Sequence, residues 1–146
     1  MALITMAVHD TEENGRTKYT IETLFSLLKT VDFNKHRLIV IDNNSCNDTK
    51  QALKDFRYYF MEKNNFLFCN YEVITNDENL GTAKAVNKGI KKRKNKEYVI
   101  KMDNDVVHHN TGWVDEMEEA INRYPKFGIL GCKRKDLEQR FDHETE

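Results

Sequence analysis

Asp103-Asn104-Asp105 follows directly on the apolar, β-branched stretch Tyr98-Val99-Ile100-Lys101-Met102. Two carboxylates two residues apart at the end of such a stretch can face one divalent ion, which takes hard oxygen ligands and can also bridge phosphate oxygens. Asp103 and Asp105 are therefore the candidate metal ligands. An Asp-x-Asp also arises by chance in acidic loops, where it caps a helix or solvates a turn. Its position after an apolar run, in a chain of alternating patterns, favours the chemical reading. His9-Asp10 and Asp42-Asn43-Asn44-Ser45 stand in the same relation to the apolar runs before them. Asn79-Leu80-Gly81 precedes a helical pattern, with Gly81 and Ala83 permitting close backbone approach where anions are favoured. Small residues packed on a sheet explain that loop equally well. His108 and His109 follow the acidic triplet, but loop histidines are usually solvated, and His9 at a strand end is the better candidate.

These clusters need a scaffold that gathers strand ends. Leu3 to Val8 reads as a strand, followed by the polar loop from His9 to Arg16 and a helix capped by Thr17. In that helix Ile21, Leu24, Phe25 and Leu28 recur at helical spacing. Arg37 to Asp42 is a second strand; Asn43 to Asp48 favours turns, and a helix from about Thr49 turns Leu53, Phe56 and Phe60 inward. Tyr71 to Thr75 is a third strand, Asn76 to Gly81 a loop, and Thr82 to Arg93 a helix with Ala83, Val86, Asn87 and Ile90 on one face. A fourth strand spans Glu97 to Met102. Thr111 to Tyr124 is a helix with Trp113, Met117, Ala120 and Ile121 inward, stopped by Pro125. Phe127 to Cys132 reads as a fifth strand. Alternation of this kind implies a mainly parallel sheet with helices on both faces, which binds ligands beyond the carboxyl ends of its strands.

Composition narrows the classes. The 146 residues carry 23 Lys plus Arg against 24 Asp plus Glu, a net charge of −1, with 39% hydrophobic residues. One soluble domain with no bulk electrostatic preference for nucleic acid or membrane is expected. The longest aliphatic run, Leu38 to Ile41, is far short of a bilayer span, and the N-terminus lacks the basic and apolar regions of a signal peptide. The expectation is a cytoplasmic protein with no integral membrane segment, peripheral attachment at the inner membrane face being compatible with it. Cys46, Cys69 and Cys132 are odd in number and share no metal-binding spacing, so reduced thiols are expected. The basic run Lys91 to Lys96 suits a helix C-terminus and lacks the interleaved aromatics of a nucleic-acid motif. No G-x-G-x-x-G, G-x-x-x-x-G-K-[ST] or G-x-S-x-G is present, which removes dinucleotide, P-loop and α/β-hydrolase readings.

Leu3-Ile4-Thr5-Met6-Ala7-Val8-His9-Asp10, Leu38 to Thr49, Asn79-Leu80-Gly81-Thr82-Ala83 with Asn87-Lys88-Gly89, and Tyr98 to Asp105 together resemble family 2 glycosyltransferases of the GT-A fold. The resemblance implies a three-layer α/β/α architecture of the nucleotide-diphospho-sugar transferase type, with this chain matching the N-terminal, nucleotide-sugar-binding half. Ala7 and His9 match the segment that packs on the nucleotide base. Asp42 and Asn43 match the acidic pair after the second strand, whose second member commonly contacts the base. Gly81 belongs to the matching helix-start motif. Asp103, Asn104 and Asp105 match the Asp-x-Asp motif, whose carboxylates touch the ribose and hold Mn²⁺ or Mg²⁺ on the diphosphate. His9 stands where Tyr is common, and Asn43 where Asp is common.

The resemblance implies an inverting, metal-dependent transfer from a nucleoside-diphosphate sugar to a sugar, lipid or protein acceptor. Residues 1–132 would form the donor-binding domain and 133–146 a charged tail, with the acceptor half missing or minimal. The family's catalytic base lies beyond the fifth strand. There this chain offers Asp136, Glu138, Asp142 and Glu144, none of which matches it, and His143 has no assigned role as a ligand. A sugar nucleotidyltransferase would need a Gly-rich loop with Arg and Lys after the first strand, where only Gly15 and Arg16-Thr17-Lys18 stand. A phosphate-binding module of response-regulator type would need an acidic pair after the first strand and an Asp ending the third. Asp10 is single, and the third strand ends at Thr75-Asn76.

Overall fold

The computed structural model describes residues 1–64, 70–126 and 128–131. β1 (Ala2–Val8) is buried along almost its whole length, as a strand covered on both faces must be. It lies between β2 (Arg37–Asp42) and β4 (Tyr98–Met102), and β3 (Tyr71–Thr75) pairs on the far side of β2. All pairings are parallel, in the order β3-β2-β1-β4. The chain grows outward from β1 to β3 and then returns to the other side of β1. That reversal opens a crevice beyond the carboxyl ends of β1 and β4.

Register aligns the exits. Val8 pairs with Asp42 and Asp42 with Thr75, so His9, Asn43 and Asn76 leave the sheet side by side. Met6 pairs with Met102, so β4 ends earlier and Asp103 begins its loop level with Ala7.

The two sheet faces carry separate cores. Ile4, Met6, Val8, Leu38 and Val40 pack with Leu24, Leu27 and Leu28 of α1 (Thr17–Thr30) and Leu53, Phe56 and Phe60 of α2 (Asn47–Lys63). Leu3, Ile39 and Ile41 pack against Ala85 of α3 (Thr82–Ile90) on the other face. A Cβ on Gly89 would lie 2.1 Å from the Thr5 hydroxyl and 2.9 Å from Ile41 Cδ1, so the absent side chain is what lets α3 seat on the sheet. α4 (Trp113–Arg123) lies beyond β4, where Met117 and Ile121 line an apolar groove with Tyr98 and Ile100.

Several expectations need correcting. Ile21 is exposed, because α1 turns Thr20, Thr23, Leu24 and Leu27 to the core. Ala83 and Asn87 are exposed as well; the inward face of α3 is Ala85, Val86 and Gly89, selected by how closely the helix must approach Thr5. Thr17 does not cap α1: the cap position is Arg16, and the Thr17 hydroxyl pairs with that of Thr49 at 2.7 Å. Residues 128–131 form no strand, while Phe127 and Cys132, the ends of the expected fifth strand, lie outside the described residues. So do Cys69 and everything from Lys133 to Glu146. Cys46 is a free thiol. No helix among the described residues is long and apolar enough to cross a membrane.

Candidate functional site

A cavity of about 490 Å³ opens at the carboxyl ends of the strands, lined by Ala7, Val8, His9, Arg16, Asn43, Asn79, Gly81, Thr82, Asp103, Asn104 and Asp105. Segments separated by almost a hundred residues meet there because the parallel register ends β1, β2 and β4 at nearly one level.

The floor is built from polar side chains that bind one another. His9 Nδ1 lies 2.9 Å from the Asn43 carbonyl oxygen. A carbonyl only accepts, so Nδ1 is the donor in this contact. Asn43 is 2% exposed; its Oδ1 accepts from Asn76 Nδ2 at 2.7 Å, and its Nδ2 lies 3.5 Å from the Gly81 carbonyl. Lys88 Nζ in turn donates to Asn76 Oδ1. Gly81 begins α3 with φ of +77°, a conformation that a side chain would strain, and its N–H donates to Asn79 Oδ1. Gly81 and Thr82 thereby bring the amino end of α3 to the cavity wall.

Asp10 is the hub beneath the acidic loop. Its carboxylate is fully buried and accepts from Thr20 Oγ1 at 2.6 Å, Thr49 Oγ1 at 3.2 Å and Asn104 Nδ2 at 2.9 Å. Its backbone N–H donates to Ser45 Oγ and its carbonyl accepts from the Cys46 N–H. One residue therefore ties β1, α1, the β2–α2 turn and the β4–α4 loop together. Asn104 also donates to Thr20 Oγ1 at 2.8 Å, so its side chain is drawn inward. Its neighbours Asp103 and Asp105 point outward, their side chains 57% and 45% exposed.

Both outward carboxylates already have cationic neighbours. Arg16 Nη2 donates to Asp105 Oδ2 at 2.8 Å, and Lys101 Nζ donates to Asp103 Oδ1. Among the described residues no group of three or more His, Cys, Asp or Glu gathers to hold a metal. Two hard carboxylate donors suit an ion of the Mg²⁺ or Mn²⁺ type, which commonly takes one or two carboxylates and completes its shell with water and substrate phosphate.

The sequence candidates thus divide. Ala7, His9, Asn43, Gly81, Asp103, Asn104 and Asp105 line one cavity. Asp42 does not: it is 1% exposed, and its Oδ1 accepts from the Ser45 N–H at 2.8 Å, closing the turn after β2. His108 and His109 are not among the lining residues. The His108 ring stacks on Trp113 with centroids 4.0 Å apart, and burial, with His109 nearby, holds its pKa below the usual histidine value. Sequence reasoning passed over Arg16, and it placed Asp10 at a strand end without its role as a buried anchor. A single charged residue after a strand gives no local signal of a partner ten to ninety-four positions away.

The model of the glycosyl transferase family 2 matches residues 13–144. The chain belongs to that family. No curated protein sequence matches the chain. Among solved structures, S. aureus TarS residues 1–349 align with a TM-score of 0.66 and 20% identity, covering 92% of this chain and 39% of that one. Longer S. aureus TarS aligns at 0.65 and 20%, covering 92% and 23%. The complex of TarS 1–349 with UDP aligns at 0.64 and 21%, covering 92% and 38%. The chain therefore spans about two-fifths of TarS 1–349 or less, and the shared feature is the GT-A fold. The family 2 domain here is α/β with a parallel sheet flanked by helices, as the sequence led us to expect, and four strands of it lie among the described residues.

Proposed function

We propose that this family 2 domain is the donor site of a glycosyltransferase and binds a nucleoside-diphosphate sugar together with Mn²⁺ or Mg²⁺. The observation that carries this reading is the pair of outward carboxylates, Asp103 and Asp105, at the crevice between β1 and β4. Asp10 anchors Asn104, the residue between the two carboxylates, and so fastens the loop that carries them. Bound there, the ion would neutralise charge developing on the departing diphosphate. The amino end of α3 at the cavity wall favours an anionic ligand. His9 and Asn43 form the wall where the base would stack and pair. UDP is bound in one of the TarS structures, so uridine nucleotides are the first donors to test.

Transfer by single displacement inverts the sugar carbon: an acceptor oxygen attacks as the bond to diphosphate breaks, and a carboxylate takes the acceptor proton. We assign no described residue to that base. Asp136, Glu138, Asp142 and Glu144 fall in the proposed tail, residues 133–146, and residues 1–132 form the proposed donor domain.

Thermal unfolding with UDP and other nucleoside diphosphates, with and without Mn²⁺, tests the reading. A ligand at 100 times its dissociation constant adds about 2.7 kcal/mol of stability, a shift of several degrees for a domain of this size. Asp105→Ala should abolish the Mn²⁺-dependent part. Equal stabilisation with and without Mn²⁺ in the wild type would refute the metal-dependent site.

A further inference from the structure

We propose that Arg16 is a donor-binding residue held in reserve by Asp105: its guanidinium occupies the carboxylate while the site is empty and moves to the diphosphate when a divalent ion takes Asp105. The proposal rests on the donor-site reading above.

The loop that carries Arg16 is built to hold it. The Thr11 N–H donates to Asn14 Oδ1 at 2.9 Å, and the Asn14 N–H returns a bond to Thr11 Oγ1 at 3.0 Å. Asn14 Nδ2 donates to the His9 carbonyl at 3.2 Å, and the Arg16 N–H donates to Asn14 Oδ1 at 3.1 Å. The backbone is thus fastened to the end of β1, while the side chain reaches into the cavity to a residue 89 positions away.

The contact it makes there is weak and replaceable. One nitrogen meets one oxygen, with the side chains 39% and 45% exposed. Pairs of that kind contribute at most about 1 kcal/mol, and a guanidinium offers five N–H donors, of which this bond uses one. Among the described residues Arg16 is the sole Lys or Arg lining the cavity. Two carboxylates and a diphosphate repel one another strongly, and a single divalent ion does not offset all of that charge. An ion at Asp105 also repels the guanidinium. A diphosphate arriving with it presents paired oxygens that match the planar fork of arginine. Moving from carboxylate to phosphate therefore relieves a repulsion and gains a bidentate contact in one step.

Opposite effects on two ligands distinguish this from a surface ion pair. We would titrate the whole chain, as wild type, Arg16→Gln and Arg16→Lys, with Mn²⁺ alone, with UDP or pyrophosphate plus Mn²⁺, and with uridine. Arg16→Gln should bind Mn²⁺ alone several-fold more tightly, because a competitor for Asp105 is gone. It should bind UDP and pyrophosphate with Mn²⁺ at least tenfold more weakly and leave uridine unchanged. Arg16→Lys, which keeps the charge and loses the fork, should fall between. Unchanged UDP and pyrophosphate affinity in Arg16→Gln overturns the role of Arg16 and leaves the donor site standing. Parallel weakening of Mn²⁺, UDP and uridine overturns it as well, marking a general structural effect. If the wild type binds neither pyrophosphate nor any nucleoside diphosphate with Mn²⁺, the donor-site reading falls and this proposal with it.

Discussion

The two ends of the sheet use the same kinds of charged residue in opposite ways. At the amino ends, Arg37 opens β2 and Glu97 precedes β4, with side chains 9% and 0% exposed. Glu97 accepts from Arg37 at 3.0 and 3.1 Å and from the Lys94 N–H at 2.6 Å, and Arg37 also donates to the Lys92 carbonyl. At the carboxyl ends, Arg16 pairs with Asp105 inside an open cavity, and Lys101 pairs with Asp103, which lines that cavity; all four side chains are well exposed. A buried pair cannot lose a partner without stranding a charge in low dielectric, whereas an exposed pair exchanges its partner for water or a ligand at little cost. The amino end closes the scaffold, and the carboxyl end is left free to bind.

Breaking the closed end should have the largest effect on stability. Glu97→Ala strands the Arg37 guanidinium and should cost about 3–5 kcal/mol, measured by urea unfolding. Asp105→Ala, at the open end, should change stability by less than about 0.5 kcal/mol. Equal costs for the two variants would erase the contrast.

Asp10 sharpens the comparison, being a buried carboxylate at the otherwise open end. Asp10→Ala removes the acceptor for Thr20, Thr49 and Asn104 and should cost about 1–3 kcal/mol. Because Asn104 loses one of its two anchoring bonds, amide exchange at Asp103, Asn104 and Asp105 should quicken more than exchange in β2. Uniform quickening across the sheet would show that Asp10 supports the fold without selectively holding the acidic loop.

Much of the scaffold was legible because hydrophobic period and turn chemistry are local. Arg37–Asp42 and Tyr71–Thr75 appear as read from their β-branched runs, and β1 is longer by Ala2 alone. The face of α3 was not legible, since Gly89 looks like a helix weakener until Thr5 is seen beneath it. Asp42 shows a related limit: a carboxylate after a strand reads the same whether it closes its own turn, as here, or faces a cavity. Asp103 and Asp105 reached the cavity in the expected company of Ala7, His9, Asn43 and Gly81. The bonds that fix Asn104 between them and engage Asp105 come from Asp10, Thr20 and Arg16, long-range partners that no spacing rule encodes.

The most direct test of the central claim, that the carboxyl end is a metal-dependent nucleotide site on a closed scaffold, is amide chemical-shift mapping during titration with UDP and the diamagnetic Mg²⁺. The account predicts shifts at His9, Asn43, Gly81, Thr82 and Asp103 to Asp105 that require Mg²⁺ in the acidic loop, with Arg37 and Glu97 unmoved. Shifts centred on the amino ends of the strands, or an acidic loop that does not respond to Mg²⁺ and UDP together, would contradict it.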